Sequence, residues 1–123
     1  MSKRRKEPLV KSFGYAFEGI FACVKKERNM KIHCCAAILV VLAGIFFGIS
    51  AAEWCLCLTL FGLVMALEMV NTAVEAVVDL VTEDRNPLAK LAKDAAAGAV
   101  LIAAIMAAIV GCMIFLPRVL SLV

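Results

Sequence analysis

Three stretches of this 123-residue chain hold no Asp, Glu, Lys or Arg: residues 32–52, 54–67 and 95–117. Charged residues make up only 19% of the chain and hydrophobic ones 64%, which excludes an ordinary soluble domain and a disordered tail. Histidine occurs once, and the six cysteines (Cys23, Cys34, Cys35, Cys55, Cys57 and Cys112) include no C-x-x-C pair. A zinc site or a disulfide framework is therefore not expected, and thiols inside apolar segments read as small hydrophobes. His33, beside Cys34, reads as interfacial packing. A Walker loop, a G-x-G-x-x-G turn and the protein-kinase triplets are all missing, so a nucleotide site would have to be built on other lines. Nothing in the pattern calls for nucleic acid as a partner.

What is present is three membrane spans. A helix needs about 20 mainly apolar residues to cross the hydrocarbon, which places the spans at about 31–50, 53–81 and 87–116 of a single membrane domain covering 1–123. The second runs past its uncharged stretch because the apolar background around Glu68 continues to Val81. At 1.5 Å per residue it is roughly 42 Å long and overruns the ~30 Å core, so its far end should emerge into headgroups or water. Asn86 followed by Pro87 reads as an N-cap with proline at the first helical position, opening the third span. Before the first span, Val10, Phe13, Phe17, Ile20, Phe21 and Val24 recur at steps of three and four. That spacing predicts an amphipathic surface helix over about 8–28. The start, Met1 to Lys6, is too basic and polar for a signal peptide.

Lys and Arg give the orientation. Nine of the thirteen lie at or before Lys31, three (Arg85, Lys90, Lys93) lie around the loop after the second span, and Arg118 stands apart. The positive-inside rule puts the N-terminus and that loop in the cytoplasm.

Against this background one stripe is out of place. Taking Glu68 as zero, Asn71, Glu75 and Asp79 fall at about 300°, 340° and 20° on a helix, one narrow face. A carboxylate at the bilayer centre is penalised by ~2.5 to 3.5 kcal/mol, so three on one face need a partner or a task. Across the loop come Lys93 and Asp94, followed by the small residues Ala95, Ala96, Ala97, Gly98 and Ala99, which permit close helix approach. Glu75 and Asp79, near the cytoplasmic end, are hard oxygen ligands suited to Mg²⁺, and Glu27 on the same side can complete such a site. Lys93 is a point charge for a phosphate, with Asp94 to orient it or bond a nucleotide. Glu68, two turns deeper, is placed for a base acting on a lipid hydroxyl. The gradient from water to lipid fits phosphoryl transfer from a soluble donor to a greasy acceptor.

Two other readings compete. Buried carboxylates also mark ion pathways, which admits a small ion-coupled transporter, though that leaves the cytoplasmic placement of Glu27, Asp79, Lys93 and Asp94 without a purpose. The stripe could also be interhelical glue, a good account of Asn71 or Thr72 alone and a poor one of three acids facing one lysine.

The pattern Glu68-x-x-Asn71-Thr72-Ala73-Val74-Glu75-x-x-x-Asp79, followed by Lys93-Asp94-x-x-x-Gly98-Ala99-Val100-Leu101, closely resembles the small prokaryotic diacylglycerol and undecaprenol kinases, from about Lys11 to Met113. The resemblance implies an all-α homotrimer of three-span protomers, each with a surface helix, in the bacterial cytoplasmic membrane, with sites that combine groups from neighbouring subunits. It implies ATP and Mg²⁺, Glu68 as catalytic base, and Glu27 and Glu75 as metal ligands. It further implies nucleotide contacts from Asn71, Asp79, Lys93 and Asp94, with Tyr15 and the loop Asp84, Arg85, Asn86 nearby. An arginine that some diacylglycerol kinases carry early in the surface helix is replaced here by Pro8, with Lys11 or the cluster Lys3 to Lys6 as substitutes. The run Glu27-Arg28-Asn29-Met30-Lys31-Ile32-His33 looks more like the undecaprenol kinases of Gram-positive bacteria, so undecaprenol is the first expected acceptor and diacylglycerol the second.

Overall fold

The computed structural model describes residues 7–123, so the cluster Lys3 to Lys6 lies outside the described residues. The described chain is helical: α1 (Leu9–Lys26), α2 (Arg28–Phe47), α3 (Ala51–Val81) and α4 (Pro87–Leu120). The last three are long and apolar enough to cross a membrane.

Each break has a local cause. Glu27 takes an extended conformation between α1 and α2, so the first span begins at Arg28, three residues earlier than its hydropathy suggests. At the other end Gly48 adopts a left-handed conformation with φ 62°, which a side chain would strain. Ser50 then opens α3 with a capping box: its hydroxyl accepts from Glu53 N–H at 3.2 Å while the Glu53 carboxylate accepts from Ser50 N–H at 3.0 Å. Asn86 Oδ1 accepts from the N–H groups of Leu88 and Ala89 at 2.8 and 3.4 Å, and Pro87 stands at N1.

α4 does not stop before Pro117 but runs on to Leu120. Arg118 holds this last turn, donating to Ile114 O at 2.6 Å and gripping Glu53 through both nitrogens at 3.0 and 2.9 Å. Because Glu53 begins α3 and Arg118 ends α4, the two helices run antiparallel, and they form the most extensive helix contact. At 1.5 Å per residue they are roughly 46 and 51 Å long, well beyond a ~30 Å hydrocarbon core.

Little apolar surface is enclosed within one chain. Met30, Ile49, Val64, Val100, Ala103 and Ile114 are buried, and long side chains such as Ile38, Leu58 and Ile102 remain exposed. That is the expected dress of helices whose solvent is lipid, where outward hydrocarbon carries no penalty. α2 turns Met30, His33, Ala37, Val40 and Gly44 inward, a three-four repeat of less exposed positions. At Gly44 the indole of Trp54 lies directly on the backbone, so that an added Cβ would stand 2.7 Å from its ring.

Candidate active site

The stripe on α3 is graded in depth. Glu68 is 2% exposed and Asn71 7%, Glu75 is half-buried, and Asp79 is exposed. Val64, Glu68 and Asn71 are the buried residues of α3, so the polar face begins where the apolar inner face ends. Thr72 spends its hydroxyl on Glu68 O at 3.1 Å, a back-bond that satisfies it within its own helix.

Around Glu68 the fold collects groups from α2, from the break before it and from α3 itself. His33 on α2 brings Nε2 to 3.9 Å from Glu68 Oε2. Glu27, Glu75 and Asn71 also interact with the Glu68 carboxyl. Asn71 Oδ1 is buried and has no hydrogen-bond partner among the described residues, an uncommon state for a buried acceptor. Toward the α3–α4 loop, Lys93 Nζ donates to Asp79 Oδ1 at 2.5 Å and also interacts with Glu75. One chain therefore carries a continuous array from Glu27 and His33 through Glu68 and Glu75 to Asp79 and Lys93.

Other expected site residues are engaged differently. Asp94 does not orient Lys93. It pairs with Lys90 one turn earlier, at 2.5 Å and in the open, the ordinary partner for an acid four residues after a lysine. Tyr15 donates its hydroxyl to Glu7 at 2.5 Å. Asn86 has its carbonyl oxygen committed to the helix cap. Asp84 and Arg85 are exposed in the loop, with Asp84 N–H bonded to Thr82 Oγ1 at 3.1 Å. Pro8 precedes α1 as its N-cap residue, and Lys11 is exposed on that helix.

His33 is the residue that sequence reasoning left out of the site. As the one histidine of the chain, three residues after the inward-facing Met30, it carried a usable signal, but its partner depends on how α2 packs against α3.

Neither Glu27 nor Glu75 has a lysine or arginine within salt-bridge distance among the described residues. No cluster of three or more His, Cys, Asp or Glu suited to a metal occurs among the described residues. Two half-buried carboxylates with free oxygens nonetheless fit Mg²⁺, which keeps several waters and is commonly held by one or two carboxylates plus substrate phosphates.

Toward the α2–α3 turn from this array lies an apolar groove of about 960 Å³ between α2, α3 and α4. It runs from His33 past Val64, Ala104 and Ala108 to Trp54 and Val119, with no Asp, Glu, Lys or Arg in its lining.

Comparison with known proteins agrees with the motif. The family model for prokaryotic diacylglycerol kinase matches residues 14–115. The chain is 45% identical over 108 residues to an undecaprenol kinase of Bacillus subtilis, covering 88% of each protein. It is 44% identical over 115 residues to a diacylglycerol kinase of Synechocystis, covering 93% of this chain and 66% of that one. To a diacylglycerol kinase of Escherichia coli it is 33% identical over 106 residues, covering 86% and 87%. With the match spanning nearly the whole described bundle, this chain belongs to the prokaryotic diacylglycerol kinase family.

Proposed function

We propose that this protein is an integral membrane lipid kinase that transfers the γ-phosphoryl group of ATP to the hydroxyl of undecaprenol. Diacylglycerol, the substrate named for several relatives, is the second acceptor. The observation that carries the reading is the burial of Glu68 at the inner end of a polar stripe that surfaces at the Asp79–Lys93 pair.

In this scheme Glu68 takes the proton from the acceptor hydroxyl as its oxygen attacks the γ-phosphorus, and the bond to the departing ADP breaks. Lys93, swung from Asp79, meets the phosphates as a point charge. Asn71 offers its unpartnered oxygen to the bound substrates, and Asp79, Asp94, Tyr15, Asp84, Arg85 and Asn86 line the approach of the nucleotide. Glu27 and Glu75 are the residues that would hold Mg²⁺, which when bound neutralises phosphate charge. The lipid tail leaves through the uncharged groove beside His33. That lining suits a hydrocarbon tail, isoprenoid or acyl, and the 45% identity to an undecaprenol kinase is what puts undecaprenol first.

The active unit is a homotrimer in the bacterial cytoplasmic membrane, its sites completed by neighbouring subunits, facing the cytoplasm. α1 lies on the inner leaflet. Its exposed Phe13, Phe17 and Phe21 support that placement, as does the basic last turn, Lys25 and Lys26.

The test is a side-by-side assay of the protein in lipid bilayers, with labelled ATP and either alcohol. Lipid phosphate should form from both, faster from undecaprenol, and no product from either would end the proposal. Glu68→Gln should lower turnover at least ~10²-fold, the scale of general-base catalysis, while nucleotide binding survives. Normal turnover in that variant would remove Glu68 from the base role.

A further inference from the structure

Glu68 has one basic neighbour among the described residues. Among the described residues Lys93 is paired with Asp79, Lys90 with Asp94 and Arg118 with Glu53, which leaves His33 as the sole basic group within ion-pair distance of Glu68. The two side chains differ in setting: that of Glu68 is 3% exposed and that of His33 21%. The imidazole thus stands between a sealed carboxylate and the outside of the bundle. Its placement follows from packing. Met30, one turn earlier on the same face, is 1% exposed and locks that face of α2 inward, which aims His33 at α3.

Resting on the kinase reading above, we propose that His33 is the positioning residue of Glu68, holding the carboxylate in one orientation toward the acceptor hydroxyl. A glutamate side chain has three rotatable bonds, and the other carboxylates in range, Glu27 and Glu75, repel it. Asn71 interacts with the Glu68 carboxyl from the same helix, and His33 is the group that reaches it from another helix, at 3.9 Å, a separation longer than a hydrogen bond, which a seated substrate would close. Displacing a reacting group by ~1 Å can cost ~10²-fold in rate, so the contact acts on turnover rather than on nucleotide affinity. The groove begins at the same side chain, so the first carbons of a bound lipid alcohol would pass the imidazole that orients the base.

The experiment compares His33→Leu with His33→Gln in the full-length protein in bilayers. Leucine removes the donor, and glutamine retains an N–H of similar reach. His33→Leu should lower kcat by roughly 10- to 100-fold with the KM for ATP unchanged, and His33→Gln should recover most of it. In a Glu68→Asp background, whose carboxylate is one methylene short of the imidazole, His33→Leu should cost little more, because residues acting as one unit are not additive. The inference is overturned if His33→Leu turns over like the parent. It is equally overturned if both variants lose activity in step with thermal stability, or if the His33→Leu factor is undiminished in the Glu68→Asp background. A parent inactive toward both lipid alcohols would overturn the kinase reading and this inference with it. An active parent with an equally active His33→Leu would overturn this inference alone.

Discussion

Asn71 separates two accounts of the polar stripe. A buried acceptor left unpaired costs about 1 to 3 kcal/mol, whereas exchange for an apolar group of similar shape is close to neutral or stabilising. Asn71 Oδ1 is buried and unpartnered among the described residues, and the side chain interacts with Glu68 on its own helix, so Asn71 contributes nothing visible to holding one helix to another. Asn71→Leu should therefore melt at or above the parent temperature, by up to a few degrees, while lipid phosphorylation falls by at least ~10-fold, the pattern of a site residue maintained against stability. A variant that melts well below the parent would return Asn71 to the role of interhelical glue. The depth order of the stripe was legible in the sequence, because 100° per residue fixes the face and the neighbouring charges fix the wet end. The pairings were not. Lys93 reaches Asp79 from a different helix, and His33 reaches Glu68 from another, and neither separation is encoded in any local period. Asp94, expected beside Lys93, was drawn to Lys90 by helix geometry alone.

Among the elements, the start of α4 was the readable one, since Asn86-Pro87 announces itself through a side chain that satisfies free N–H groups, whereas α3 begins at Ala51, two residues before the expected 53, because Ser50 caps it. The ends were harder. Hydropathy places the first span at about 31 because Arg28 and Lys31 are polar, yet the backbone has already re-entered a helix at Arg28 after the kink at Glu27. Proline at 117 suggests a stop, and the bidentate grip of Arg118 on Glu53 carries the helix past it. A tight helix approach also depends on one residue that composition does not flag. Trp54 packs on Gly44 so closely that a methyl group there would overlap the ring at 2.7 Å. Gly44→Ala should force the indole or α2 to move, at a cost of about 1 to 3 kcal/mol. The measurable result is a lower thermal or denaturant midpoint in lipid or detergent, with a red shift of Trp54 fluorescence as the ring gains exposure. An unchanged midpoint would mean that the indole rotates freely and that α2 is not seated on it.

The whole molecule has two chemically unlike ends. At one, Lys11, Lys25, Lys26, Arg28, Lys31, Arg85, Lys90 and Lys93 gather eight of the nine lysines and arginines among the described residues. At the other stands Arg118, and its charge is cancelled by Glu53 through two hydrogen bonds. The positive-inside rule counts lysine and arginine and not net charge, and one arginine stands against the basic end, which is the ground for the proposed cytoplasmic placement of that end. That end also carries Asp79, Lys93 and the α3–α4 loop, the groups proposed to meet ATP. A cysteine introduced at Asp84 should therefore react with a membrane-impermeant maleimide only in inside-out vesicles, and one at Ser121 only in intact cells, each scored as labelling above that of the parent protein. Five of the native thiols lie within the three long apolar helices, where an impermeant reagent is kept off by lipid, and Cys23 on α1 sets the background that the parent protein measures. The reverse pattern would set the Lys93 end outside the cell, where no nucleoside triphosphate is supplied. The kinase assignment would then fail however well the carboxylates are arranged, because a phosphoryl acceptor held at Glu68 can react only if its donor arrives from the same side as Lys93.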